Sequence, residues 1–311
     1  MDKFIMSSSP HVRSPESTRR IMLDVIIALL PATAFGIYFF GTNALYTVLL
    51  CVTAAMATEA LLQLLMKRQI TAFDGSAAVT GLLLALNLPP AVPWWIPVIG
   101  AVFAIAIVKI AFGGLGHNFL NPALAARAFL VISWTSIMTT WSLPADAVTS
   151  ATPLDALKQT GVYGATYMDM FIGRVGGCIG ETSAAALLAG AAYLLIRKVI
   201  NWRIPIVYIG TVALFAWAAG RDGLFTGDAL YHVLAGGLIL GAFYMATDYT
   251  TSPMTNRGKV IFAAGCGVLT GVIRLWGGYP EGVSYSILLM NLVVPLLDRK
   301  FMPRVFGGAA K

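Results

Sequence analysis

The chain has 311 residues, of which 58% are hydrophobic and 11% charged, and its mean hydropathy is +0.78. Soluble domains carry about 25% charged residues, so a soluble globular fold is excluded, and repeated apolar runs of about 20 residues indicate a polytopic all-α membrane protein. The formal net charge of +7 does not argue for nucleic acid as a partner. Lys and Arg gather in short loops between the apolar runs, as the positive-inside rule expects.

In chain order, "MDKFIMSSSPHVRSPESTRR" (1–20) is polar and lacks the apolar core and small-residue cleavage site of a signal peptide, so it is expected to stay as a cytoplasmic tail. A first group of five spans is predicted over 21–40, 44–66, 76–88, 94–112 and 119–135, within a unit at 21–135. A polar loop at 136–180 separates it from a second unit at 181–300, with spans at 182–198, 204–219, 229–246, 258–276 and 283–298. A short tail closes the chain at 301–311. With the N-terminus inside, the cytoplasmic segments collect Lys67, Arg68, Lys109, Arg197, Lys198, Arg203, Arg257, Lys259, Arg299 and Lys300. The outside receives only Lys158, Arg174, Arg221 and Arg274, with Arg127 inside a span. This asymmetry places both termini in the cytoplasm and the 136–180 loop outside.

The two units resemble each other. "KIAFGGLGHNFLNPALAARAFL", from Lys109, aligns with "RLWGGYPEGVSYSILLMNLVVPLLD", from Arg274, and with one gap Arg127 falls opposite Asn291. "TGLLLALNLPP" (80–90) likewise echoes "GGLILGAFYMATDYTTSP" (236–253), a helix that breaks early in polar residues and proline. An odd number of spans per unit turns the second copy upside down. The expected architecture is therefore two inverted five-helix repeats with broken helices, as in transporter folds. Cys51, Cys178 and Cys266 lie far apart and offer no metal-binding spacing, so no metal site is expected.

The outer loop holds "DAVTSATPLDALK" (146–158). Pro153 biases Thr152 toward an extended backbone, which is expected to leave the hydroxyl accessible. Asp146, Thr149, Ser150, Ala151 and Thr152 spell D-x-x-[ST]-x-A-T, which resembles the flavinylation motif of Rnf and Na⁺-pumping quinone reductase complexes; Ser150 stands where the motif usually has Gly. Longer stretches carry the same resemblance: "SSPHVRSPESTRRIMLDVIIALLPA" (8–32), "FDGSAAVTGLLLALNLPP" (73–90), "MATDYTTSPMTNRGK" (245–259) and "YPEGVSYSILLMNLVVPLLD" (279–298). On these the chain is identified as a member of the NqrB/RnfD family of ion-translocating electron transport complexes, with the short N-terminal tail favouring the Rnf branch.

The resemblance implies a subunit of a translocase, a ferredoxin–NAD⁺ oxidoreductase that moves Na⁺ or H⁺ across a bacterial or archaeal cytoplasmic membrane. It implies FMN held through a phosphoester on Thr152, attached by a dedicated flavin transferase that recognises Asp146 while Thr149, Ser150 and Ala151 shape the loop. Riboflavin or another noncovalent flavin is also implied, with no residues assigned to it. The implied partners are the other Rnf proteins, RnfA, RnfB, RnfC, RnfE and RnfG, the last with a flavin of its own. Relays in those partners are needed because a hydrocarbon core ~30 Å thick is too wide for one efficient electron jump.

Apart from the resemblance, the broken helices offer Asn87, Thr247, Asp248 and Thr250 as candidates for an ion pathway, because half-helix ends and freed carbonyls coordinate cations. Intramembrane charges need partners, and Glu59 and Arg127, at comparable depth, are expected to pair. Two other readings stay open: the NqrB-type protein of the quinone reductase, and a channel or permease for a small polar solute. A permease has no use for a flavinylation motif outside the membrane.

Overall fold

The computed structural model describes residues 17–141, 151–220, 223–279 and 281–302. Helix α1 (Thr18–Phe40) begins where Ser17 Oγ accepts from Arg20 N, and Gly41 joins it to α2 (Thr42–Leu65). The eleven residues of α3 (Ser76–Leu86) are apolar or small all round, and all but one of them are buried, as expected of a helix with no polar face. Next come α4 (Trp95–Val102), which runs on as a π-helix over Phe103–Ile110, α5 (Pro122–Ser133), capped by Asn121 with Pro122 in its first turn, and the single turn α6 (Thr135–Met138). Two short helices follow, α7 (Pro153–Thr160) and α8 (Tyr167–Ile172). Then come α9 (Ala184–Ile196) and α10 (Arg203–Ala218), and a two-residue hairpin pairs Ala219–Gly220 (β1) with Gly223–Leu224 (β2). Helices α11 (Ala229–Leu234), α12 (Leu238–Leu240, continued as a π-helix over Gly241–Met245), α13 (Asn256–Trp276) and α14 (Val283–Lys300) complete the chain.

The fold is all-α and polytopic. Helices α1, α2 and α13 are long and apolar enough to cross a membrane, and α3, α4 with its π extension, α5, α9 and α10 are shorter apolar helices. The expected span at 229–246 is two helices: the chain breaks at Gly236–Gly237, with Gly236 at φ 70°. Inside the 136–180 stretch, α7 and α8 replace an expected loop. They pack with α11 around a small core of their own, Leu154, Met170, Val175, Tyr231 and Ala235.

Two features tie the halves together. Helices α1 and α9 cross so closely that a Cβ on Gly190 would lie 1.9 Å from Ala28 O. Tyr244 spans the crossing, its hydroxyl donating to Leu187 O at 2.8 Å and Ala28 O at 3.3 Å. Where α3 breaks before Pro89 and Pro90, Leu86 O accepts from Gly180 N (2.8 Å) and Leu88 O from Ile179 N (3.1 Å). The segment leading into α9 thus satisfies the backbone that the broken helix leaves open, as irregular backbone away from water requires.

Candidate functional site

Thr152 is the N-cap of α7. Its backbone is extended (φ −66°, ψ 157°), Pro153 follows at the first helical position, and Thr152 Oγ1 accepts from Asp155 N at 3.1 Å. The expectation of an accessible hydroxyl is not met: Thr152 is 3% exposed. The reason is local. The residue that Pro153 holds extended is also the one whose side chain closes the first turn, and Tyr231 donates its hydroxyl to Pro153 O at 3.1 Å, pinning that turn against α11. Ala151 is exposed beside it; Asp146, Thr149 and Ser150 lie outside the described residues.

Two cavities touch α7. One, of about 250 Å³, is lined by Asp155, Trp141, Tyr279 and Tyr285, with Arg127 and Glu281. The other, of about 730 Å³, is lined by Leu154, Lys158, Tyr163, Trp276, His232 and Arg274. Lys158 donates to Gly277 O and Tyr279 O, and burial pulls its ammonium below the usual lysine range. Aromatic walls with a few convergent cations suit a flat, anionic ligand.

The intramembrane charges pair differently from expectation. Glu59 does not meet Arg127; it is held by Lys109 Nζ at 2.8 and 2.9 Å, and that ammonium also donates to Ser76 Oγ at 2.7 Å, at the start of α3. Arg127 instead lies between carboxyls from the segments that precede α9 and α14. Its Nη2 donates to Glu281 Oε2 at 2.8 Å, and its Nη1 faces Glu181 Oε1 at 3.4 Å, Asn87 Oδ1 at 2.9 Å and Ser284 Oγ at 3.2 Å. Sequence reasoning missed Glu181 and Glu281. Each precedes a helix and reads as an ordinary capping acid, and nothing in one strand of sequence shows that both return to one arginine.

The four candidate ion-pathway residues do not converge. Thr247, Asp248 and Thr250 line a small cavity of about 80 Å³. There Asp248 Oδ2 accepts from the hydroxyls of Thr250 (3.0 Å) and Thr251 (3.2 Å), Asn118 Nδ2 donates to Thr250 Oγ1 (3.1 Å), and Thr247 Oγ1 donates to Phe243 O (2.7 Å). Asn87 belongs to the Arg127 cluster, with its amide nitrogen bonded to Leu83 O at 2.7 Å. The two half-helix ends are nevertheless handled alike. Arg127 of α5 bonds the residue that ends α3, and Asn291 of α14, with its amide nitrogen turned to donate, bonds Thr251 O beyond the end of α12 at 3.1 Å.

The profile of the NQR2, RnfD, RnfE family matches residues 5–307. The chain is 55% identical over 308 residues to the D subunit of the Na⁺-translocating ferredoxin:NAD⁺ oxidoreductase complex of Acetobacterium woodii, covering 97% of this chain and 95% of that protein. It is 51% identical over 318 residues to the D subunit of the proton-translocating ferredoxin:NAD⁺ oxidoreductase complex of Clostridium ljungdahlii (98% and 96% covered). It is 43% identical over 331 residues to the D subunit of the ion-translocating oxidoreductase complex of Stutzerimonas stutzeri (95% and 94% covered). With nearly every residue inside the family profile, the chain belongs to the NQR2, RnfD, RnfE family, and its similarity lies with the RnfD members of that family.

Proposed function

We propose that this chain is the RnfD-type membrane subunit of an ion-translocating ferredoxin:NAD⁺ oxidoreductase and that it carries FMN as a phosphoester on Thr152. End-to-end similarity to two such subunits supports the first part. The position of Thr152 at a helix N-terminus beside two aromatic-lined cavities supports the second. A phosphate joined to Thr152 Oγ1 meets the positive end of the α7 dipole and its first-turn N–H groups, an arrangement that favours anions. Trp141, Tyr279 and Tyr285 in one cavity, or Tyr163 and Trp276 in the other, offer ring surfaces, and Lys158 and Arg274 offer positive charge. A flavin bound there supplies an electron acceptor and donor on the side of the membrane where the 136–180 loop is expected, and the neighbouring RnfA, RnfB, RnfC, RnfE and RnfG complete the relay. The noncovalent flavin implied by the resemblance would belong to the same relay, again without assigned residues.

Because the hydroxyl caps α7 and is buried, attachment by a flavin transferase requires the first turn of α7 to open, or precedes its closure. The test is flavin fluorescence of the purified complex on a denaturing gel. Thr152→Ala and Thr152→Asn lose the band of this chain completely and Thr152→Ser keeps it; Asn preserves the cap, so its loss is not a folding defect. A bright band in the Asn variant refutes the attachment site. A solute conduit is disfavoured by the same family match.

A further inference from the structure

Glu181 and Glu281 enter the first and the last helix of the second unit, α9 and α14, and share one guanidinium from the first unit, with Arg127 3.4 Å from Glu181 and 2.8 Å from Glu281. Both rest on the glycine pair that breaks the eighth predicted span. A Cβ on Gly237 would lie 2.7 Å from Glu181 Oε1, and one on Gly236 3.4 Å from Glu281 Oε1. Yet Glu181 Oε2 and Glu281 Oε1 are sealed from solvent with no partner among the described N–H and O–H groups. Two carboxylates held on one guanidinium away from solvent repel when both are ionised, and such pairs settle by keeping one proton between them.

Cys178 and Arg274 also lie at the cluster, and Arg274 adds positive charge near Glu281. Cys178 Sγ lies 3.5 Å from Arg127 Nη2. Arg274, from α13, gives its Nη groups to His232 O and Ala235 O and makes no ion pair with either carboxyl. A metal cation would need more oxygen ligands than two glutamates flanked by a guanidinium provide. Glu281 and Arg127 also line the 250 Å³ cavity, whose other wall includes Asp155 of α7, so water has a polar route to one end of the pair.

We propose that Glu181 and Glu281 together form a proton-binding site, holding one proton between two carboxyls on Arg127, and that this proton exchanges through Glu281 with the cavity beside α7. Release breaks one O–H bond at the carboxyl and forms one on a cavity water. No electron moves, and Arg127 holds the carboxylate left behind.

The experiment is infrared difference spectroscopy of the purified complex in H₂O and D₂O at neutral pH. The wild type shows a carbonyl band of a buried protonated carboxyl that shifts on deuteration. Glu181→Gln and Glu281→Gln each abolish that band, because the remaining glutamate ionises beside Arg127. Absence of such a band in the wild type, or its full retention in both variants, overturns the proposal. Should a Gln variant fail to assemble, Glu281→Asp decides: with two carboxyls retained the band persists at a displaced frequency, and an unmoved band sinks the site. The carboxyl band and the gel fluorescence of the flavin are separate measurements, so this proposal and the Thr152 assignment fail separately.

Discussion

At the scale of single residues, the buried Lys109–Glu59 pair is the clearest case of charges that stabilise only together. Lys109 is 2% exposed and Glu59 likewise, so removing one partner leaves a naked charge in an apolar setting, at about 3–5 kcal/mol. Lys109→Met is expected to lower the unfolding temperature of the purified complex sharply, and Lys109→Met combined with Glu59→Leu to recover most of the loss. Thermal denaturation of the two variants side by side checks this; equal damage from both would show that the pair does not act as a unit. The sequence showed that Glu59 lies in an apolar span and needs a partner, but it paired Glu59 with Arg127 and counted Lys109 among the cytoplasmic-side charges. Depth follows from position along a span, whereas facing direction follows from helical twist. Lys109 lies in a π-helical stretch that winds more widely than the 3.6-residue period assumes, so its azimuth was not legible.

At the scale of elements, the α1–α9 crossing depends on the missing side chain of Gly190. Any Cβ there meets the backbone oxygen of Ala28 at 1.9 Å and the Tyr244 hydroxyl at 2.4 Å, and neither can give way without breaking the bonds from Tyr244 to Leu187 O and Ala28 O. Gly190→Leu is expected to prevent assembly, measured as loss of the intact complex on size exclusion. Tyr244→Phe, which removes the hydroxyl and leaves the crossing, should cost only about 1–3 kcal/mol. For α7, Thr152→Ala should cost about 0.5–2 kcal/mol through the lost cap while Thr152→Asn costs little, read by thermal unfolding. Most long helices were visible beforehand, because α1, α2, α10, α13 and α14 are continuous apolar runs. Helices α7 and α8 were not. They are short, and what holds them is a five-residue core shared with α11, a contact that no local pattern announces.

For the whole molecule, orientation is the open quantity that charge asymmetry predicts and labelling measures. Cys51, Cys178 and Cys266 are all buried, so the native chain offers little background to a membrane-impermeant maleimide. Gln159→Cys, at the exposed C-terminal end of α7, is expected to react in intact cells, and Lys67→Cys, at the exposed end of α2, only after lysis. The opposite pattern would turn the protein over and put Thr152 on the cytoplasmic side. The family and the polytopic class were readable from the chain alone because both rest on long, continuous stretches. The convergence of Arg127, Glu181 and Glu281 was not, because it forms only when two distant loop ends fold back to the same place.

The backbone stitch between Leu86–Leu88 and Ile179–Gly180 has a mechanical consequence. Carriers that expose a site alternately to each side do so by tilting one half over the other. Here such a tilt would tear hydrogen bonds whose donors and acceptors have no water waiting for them, at several kcal/mol apiece, and would prise α9 off α1 at the same time. The joint between the broken end of α3 and the segment entering α9 is thus made of backbone as well as side chains, and it resists being pulled apart.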